Sequence, residues 1–225
     1  WYYFSKKSNS ISFTTKMITL SFFGVLFIAT AITFFGESTI QHYPVFERLE
    51  IATFQTVNAI STAGYNSIPL SNLTLGVLLT IIFLMYVGAA PSSTGGGMKI
   101  TTLTAVIAIV KSKVRNQAKV TYLGKKIPAD RLEMAVSTFI FYTAILFFSV
   151  FLLSFTENQS LEKLLFEATS AIGTVGLSMG ITGSLSVWGK IILISIMFIG
   201  RVGVITFGLA ILAKKQHKKI DNETD

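Results

Sequence analysis

The chain has 225 residues, of which 51% are hydrophobic and 13% charged, with a formal net charge of +8. A soluble domain carries about a quarter charged residues, so the composition excludes an ordinary water-soluble globule and points to a membrane protein. Cysteine is absent, which excludes disulfides, thiolate metal sites and thiol redox chemistry.

The chain opens on Trp1 with no cleavable signal sequence, which suggests a processed or partial chain. After Lys6, Lys7 and Lys16, residues 17–35 (MITLSFFGVLFIATAITFF) carry no charge. A bilayer core of about 30 Å needs roughly twenty such residues in a helix, so this run predicts a membrane crossing. Residues 46–60 (FERLEIATFQTVNAI) follow an outer segment and are too short and too polar to span; they predict a half-length helix ending in the small residues STAGYNS (61–67). Residues 73–87 are apolar again. They lead into GAAPSSTGGGMKITT (88–102), where a proline, three glycines and Lys99 separate two apolar stretches. A basic tract covers 111–131. The second half then repeats the order: an uncharged run at 134–155, a half-length stretch at 161–172, the loop GTVGLSMG (173–180), and an apolar run at 188–213 that carries Arg201.

The two halves align without a gap at a shift of 112 residues. Eleven of the forty positions from 49 to 88 are identical to their counterparts, including Phe54/Phe166, Thr62/Thr174, Gly64/Gly176 and Gly88/Gly200. Residues 17–35 fall on 129–147 in the same register. The expected fold is therefore an all-α membrane protein of two tandem helix–pore-loop–helix repeats, with four crossings and two re-entrant half-helices. The first repeat occupies 1–111 with its glycine-rich loop at 88–102, and the second 112–225 with Arg201 and a basic tail.

Basic residues cluster at the start, at 111–131 and at 214–219, whereas 36–72 and 156–187 lean acidic. By the positive-inside rule the basic segments and both termini face the cytoplasm. The basic tracts read as topology signals and lipid-headgroup contacts. The 111–131 tract contains one aromatic, Tyr122, and 214–219 none, too few for base stacking, so no nucleic-acid partner is expected.

Irregular backbone at membrane depth is tolerated only where it is buried or lines a watery path. A half-helix entering from outside points its partially negative C-terminus to the membrane middle, which suits a cation. The string Gly173-Thr174-Val175-Gly176 is close to the carbonyl filter of potassium channels, and Ser61-Thr62-Ala63-Gly64 is its degenerate counterpart. These eight residues are the candidate selectivity filter. Pro91, Ser92, Ser93, Thr94, Gly95, Gly96, Gly97 and Lys99 form a candidate gate loop beneath it. Arg201 lies about twelve residues from either end of its apolar run, and a charge so placed costs about 2.5–3.5 kcal/mol on insertion scales, which marks it as functional. It either bonds loop carbonyls or sets a positive barrier; Lys99 is either a second barrier charge or reaches the cytoplasmic vestibule. On the half-helices, Glu50 and Glu162 recur in register, as helix-dipole partners or as a cation-attracting outer mouth.

Two other readings fail. GGGMK is not a phosphate loop, because Met98 separates glycine from lysine, Ile100 replaces Ser/Thr and no strand precedes it. His42 and His217 have no nucleophile or carboxylate arranged around them, so no enzyme is expected.

Together FQTVNAISTAGYNS, GAAPSSTGGGMKITT, SAIGTVGLSMGIT and MFIGRVGVITFGLA resemble the Trk/Ktr/HKT superfamily of potassium transport proteins, and most of all its KtrB-type membrane subunits. The resemblance covers the third and fourth of the four pore-loop repeats of that family. It implies potassium transport across the bacterial plasma membrane by a multi-pass protein, with K+ as cargo, Na+ as coupling ion and no cofactor bound by this chain. It also implies partners: the two remaining pore-loop repeats, a cytosolic nucleotide-binding ring subunit, and a second copy in a homodimer. With the deciding first repeat outside this sequence, a sodium-permeable relative stays open, as does a non-conducting membrane anchor for a cytosolic partner.

Overall fold

The computed structural model describes residues 12–203, except Ser92, Thr94 and Ala118, together with Thr206. Helix α1 (Phe13–Gly36, 24 residues) starts at Ser12, whose side chain accepts from Thr15 N. A short connection leads to α2 (Val45–Ser61), and α3 (Leu75–Val87) follows after an irregular loop. The irregular segment 88–99 separates α3 from α4 (Ile100–Val114), whose last turn carries Lys111 and Lys113, the favoured sign against a helix C-terminus. A two-stranded hairpin, β1 (Thr121–Tyr122) and β2 (Lys125–Lys126), precedes α5 (Ala129–Thr156, 28 residues). The chain then forms α6 (Leu161–Ile172) and α7 (Val187–Val202). Among the described residues, α1 and α5 are the helices long and apolar enough to cross a membrane unaided.

The packing is that of a protein whose outside is apolar. Phe23, Phe27 and Phe35 of α1 and Phe147, Phe151 and Phe155 of α5 are exposed, an arrangement that lipid tolerates and water penalises. The interior has two main clusters. Ile60, Ile81, Leu84, Met85 and Phe166 belong to one, which also takes in Val175 and Leu177; Leu146, Leu153, Leu164, Ile172 and Leu193 belong to the other. Helix α6 lies against α3, α5 and α7, so the short helix is held on several sides.

Two carboxylates fasten the outer ends of the helices. Glu37, at the C-cap of α1, accepts from Thr74 N at 2.9 Å and Thr74 Oγ1 at 3.1 Å, and Thr74 is the N-cap of α3. Glu157, at the C-cap of α5, accepts from Ser186 N at 3.1 Å and from the Ser186 hydroxyl, and Ser186 is the N-cap of α7. Each carboxylate thus meets helix N–H groups that have no intrahelical partner. Thr74 and Ser186 are 112 residues apart, but Glu37 and Glu157 are 120 apart. The gapless register therefore does not reach the ends of α1 and α5, because the α5–α6 connection is shorter and α5 longer.

Two expectations are corrected. The apolar run 188–213 is not one unbroken helix: α7 ends at Val202, and Gly203 caps it with φ of 94°, outside the right-handed helical region. Arg201 lies in the last turn, not at mid-helix. Glu50 is also not a first-turn residue, since α2 begins at Val45 and its first-turn acid is Glu47; on α6 the first-turn acid is Glu162, as expected. An extra turn at the start of α2 accounts for the difference.

Candidate ion pathway

Helix α2 ends where Thr62 turns left-handed, with φ of 58°, and Ala63 N donates back to Asn58 O at 3.1 Å. Helix α6 closes in the same way 112 residues later: Thr174 has φ of 51°, and Val175 N donates to Ser170 O at 2.9 Å. Gly64 and Gly176 follow with φ of 80° and 93°. A threonine in this region is unusual for an L-residue, and its recurrence at one register means that both loops are bent alike. Among the described residues, no hydrogen bond is recorded to the carbonyl of any residue in 62–65 or 174–177.

The loops stand side by side. A Cβ on Gly64 would overlap Val175 O and lie 3.5 Å from Gly176 Cα. Only glycine fits there, for two reasons: the left-handed φ and the neighbouring backbone. Ser61 and Gly173 lead into these loops, as the C-terminal residue of α2 and the C-cap of α6.

The described part of segment 88–99 folds up against the underside of both loops. Its end is fixed to the C-terminus of α3: Met98 N donates to Tyr86 O at 3.0 Å and Lys99 N to Val87 O at 2.8 Å. These bonds take up carbonyls that the end of α3 would otherwise leave unpaired. A turn brings Ser93 N back to Ala90 O at 3.3 Å across Pro91. Gly96 N then donates to Thr62 Oγ1 at 3.1 Å. A Cβ on Gly96 would overlap the carbonyl of Gly173 and the Thr174 hydroxyl, and one on Gly95 would lie 3.0 Å from Ser61 O. Gly95 and Gly96 thus touch both filter candidates at once, while Ser92 and Thr94 of the expected gate lie outside the described residues.

Below this contact is a cavity of about 500 Å³ lined by Gly95, Gly96, Lys99, Thr138, Tyr142, Thr174 and Arg201 among others. Lys99 Nζ donates to Gly95 O, so the lysine clasps the loop that carries it. The structure brings Thr62, Gly173 and Thr174 of the filter candidates, Ser93, Gly95, Gly96 and Gly97 of the gate candidates, Lys99 and Arg201 to one locus.

Sequence reasoning missed the side chains behind the loops. Buried Glu167 of α6 accepts from Ser178 Oγ at 2.6 Å, Met179 N at 3.0 Å and Thr182 Oγ1 at 2.7 Å. Its counterpart Gln55 accepts from Ser67 N at 3.3 Å. The available signal was a long polar side chain, Gln55 or Glu167, at matching positions of the two half-helices.

Comparison with known proteins gives the family of the chain. The model of a family described as TrkH, cation transport protein, matches residues 4–222. The chain belongs to this family. It is 31% identical over 207 residues to the Ktr system potassium uptake protein B of Bacillus subtilis, covering 90% of this chain and 46% of that protein. It is 35% identical over 172 residues to the potassium/sodium uptake protein NtpJ of Enterococcus hirae, covering 75% of this chain and 38% of the relative. The crystal structure of the potassium transporter TrkH from Vibrio parahaemolyticus superposes with a TM-score of 0.72 at 21% identity, over 87% of this chain and 44% of that one. This TrkH-family chain thus spans under half the length of these relatives, which are transport proteins rather than enzymes.

Proposed function

We propose that the chain forms half of a cation pore for potassium uptake, with the carbonyls of 61–64 and 173–176 contributing to a selectivity filter and 91–99 acting as the gate below it. The observation that carries this is the contact of Gly95 and Gly96 with both left-handed loops, whose carbonyls face no recorded partner. A cation leaving such a loop inward meets the glycine segment, then Lys99 and Arg201. The charge asymmetry and apolar exteriors support a multi-pass plasma-membrane protein with both ends of this segment cytoplasmic. In this reading, the ring is completed by pore-loop units outside this sequence. A cytosolic nucleotide-binding subunit and a second copy of the whole protein are the partners.

The test is potassium uptake by the full-length protein in a host lacking its own uptake systems. Growth at low potassium, with weak competition by sodium, is expected. Equal uptake of sodium would favour the sodium-permeable reading, which the name of the Enterococcus relative, a potassium/sodium uptake protein, keeps in view. No uptake of either ion by correctly inserted protein would leave the anchor reading.

A further inference from the structure

Each half-helix carries one polar side chain that reaches the loop twelve residues later: Gln55 Oε1 accepts from Ser67 N, and Glu167 Oε1 from Met179 N. Donors and acceptors both match at the 112-residue shift, so the two contacts are equivalent. Their strengths differ. The Glu167 carboxylate collects two further hydroxyl bonds, from Ser178 and Thr182, and these two hydroxyls lie 2.9 Å from each other. At Gln55 the single bond is 3.3 Å long, and Nε2 is buried with no hydrogen-bond partner among the described residues.

The cause is in the loop sequences. The counterpart of Ser178 is Asn66, whose Nδ2 is turned to Ile68 O at 3.0 Å within its own loop. The counterpart of Thr182 is Leu70, which has no donor to offer. One loop therefore hangs on a carboxylate with three donors, and the other on one neutral bond. Bonds to an ionised acceptor are roughly twice as strong as neutral ones.

We propose that Gln55 and Glu167 are positioning residues that fix the outer ends of the two carbonyl loops, with Glu167 the stiff anchor, so that cation discrimination depends mainly on the second loop. This rests on the filter reading above. Glu167 is 4% exposed and stands on a helix packed on several sides. The segment 174–178 is therefore tied at its inner end by Val175 N to Ser170 O and at its outer end by the carboxylate. A loop held at both ends cannot close around a smaller ion at low cost, whereas a loop released at its outer end can. The polar atoms behind the filter act through the spacing of its carbonyls and do not touch the ion.

The experiment uses the full-length protein, in cells for uptake and purified for thermal stabilisation by K+ and by Na+. Glu167→Leu removes all three acceptor contacts at similar size, and should lower the preference for K+ over Na+ by about tenfold or more. Glu167→Gln keeps an oxygen for Ser178 and Met179 and can donate its amide to Thr182 Oγ1, so it should restore most of the preference, losing about two- to threefold. Gln55→Leu should cost about two- to threefold. An inserted Glu167→Leu protein with wild-type preference overturns the proposal, as does a Gln55→Leu loss equal to that of Glu167→Leu. Should Glu167→Leu fail to insert, Ser178→Ala with Thr182→Val removes two of the three bonds from the loop side; unchanged preference there also overturns it. Wild-type protein with neither K+ uptake nor K+-dependent stabilisation would overturn the filter reading itself.

Discussion

The backbone N–H of Gly96 donates to the hydroxyl of Thr62 at 3.1 Å. A residue in the segment between α3 and α4 is thereby bonded to the left-handed residue that ends α2. The underside of the first filter candidate is closed by the chain's own backbone. The close approach of Gly96 to Gly173 O extends the contact to the second.

That bond gives the first prediction. Thr62→Val keeps the side-chain shape and the backbone carbonyl but leaves the Gly96 N–H unpaired. A net hydrogen bond is worth about 0.5–1.5 kcal/mol, so release of the loop should rise by about two- to tenfold. Potassium flux through the full-length variant should increase accordingly. Deleting 92–97 should raise it further while sodium stays excluded. Wild-type flux in a correctly inserted deletion protein would remove the gate assignment.

Gly64 allows a sharper steric test. Alanine there must adopt a left-handed φ, at about 1–2 kcal/mol, and its Cβ would overlap Val175 O. Gly64→Ala should abolish potassium-dependent thermal stabilisation and uptake. Gly24→Ala is the matched control: nothing lies within 4 Å of its added Cβ, and it sits inside α1. A helix gains up to about 1 kcal/mol from that change, so it should leave transport intact and raise thermal stability. Equal behaviour of the two variants would contradict a close-packed filter at Gly64.

How far these features were readable in the sequence depends on what each residue needed from its neighbours. The second half-helix runs Leu161–Ile172, as its composition predicts, because charge, length and the following glycines define it locally. Gly64 and Gly176 were legible for the same reason: their left-handed backbone is a demand of the position itself. Gly203 was not, since one glycine in an apolar run is tolerated by helices as often as it ends them. The acids were the largest loss. Glu37, Glu157 and Glu167 counted in the sequence only as outward-leaning charge, yet each holds a backbone N–H far along the chain. Such partners are set by tertiary packing, and no short-range pattern announces them.

Glu157 supplies a pH test outside the spanning helices. Its carboxyl is held below the usual carboxylate range, first by the Ser186 hydroxyl and then by backbone N–H groups that include Ser186. The folded-state value is therefore depressed. The stabilisation is fully present above the unfolded value of about 4 and is lost as pH falls through the folded one. Ser186→Ala removes the largest cause and also the cap on Gly189 N, which is independent of pH. The melting temperatures of wild type and Ser186→Ala should differ most at neutral pH and converge part-way below about pH 4. A constant gap from neutral to acid would mean that the carboxylate contributes nothing through this bond.

Lys99 and Arg201 line one cavity under the filter candidates, and they are expected to oppose a cation in different ways. Lys99 is bonded to Gly95 O, so its removal frees the loop as well as deleting a charge. Arg201 stands on the last turn of α7, outside the loop, so its removal is expected to act first through the lost charge. A unit charge about 8 Å from an ion costs roughly 2 kcal/mol at an effective dielectric of 20. Arg201→Gln should then speed potassium flux by up to about thirtyfold, more at low ionic strength than at high, because screening weakens the barrier in the wild type. Lys99→Met should speed it at least as much, with a component that salt does not remove, since the loop remains released. Accelerations that respond to salt alike would reduce Lys99 to a second barrier charge. A fall in flux in Arg201→Gln, with the protein inserted, would make the arginine a structural support.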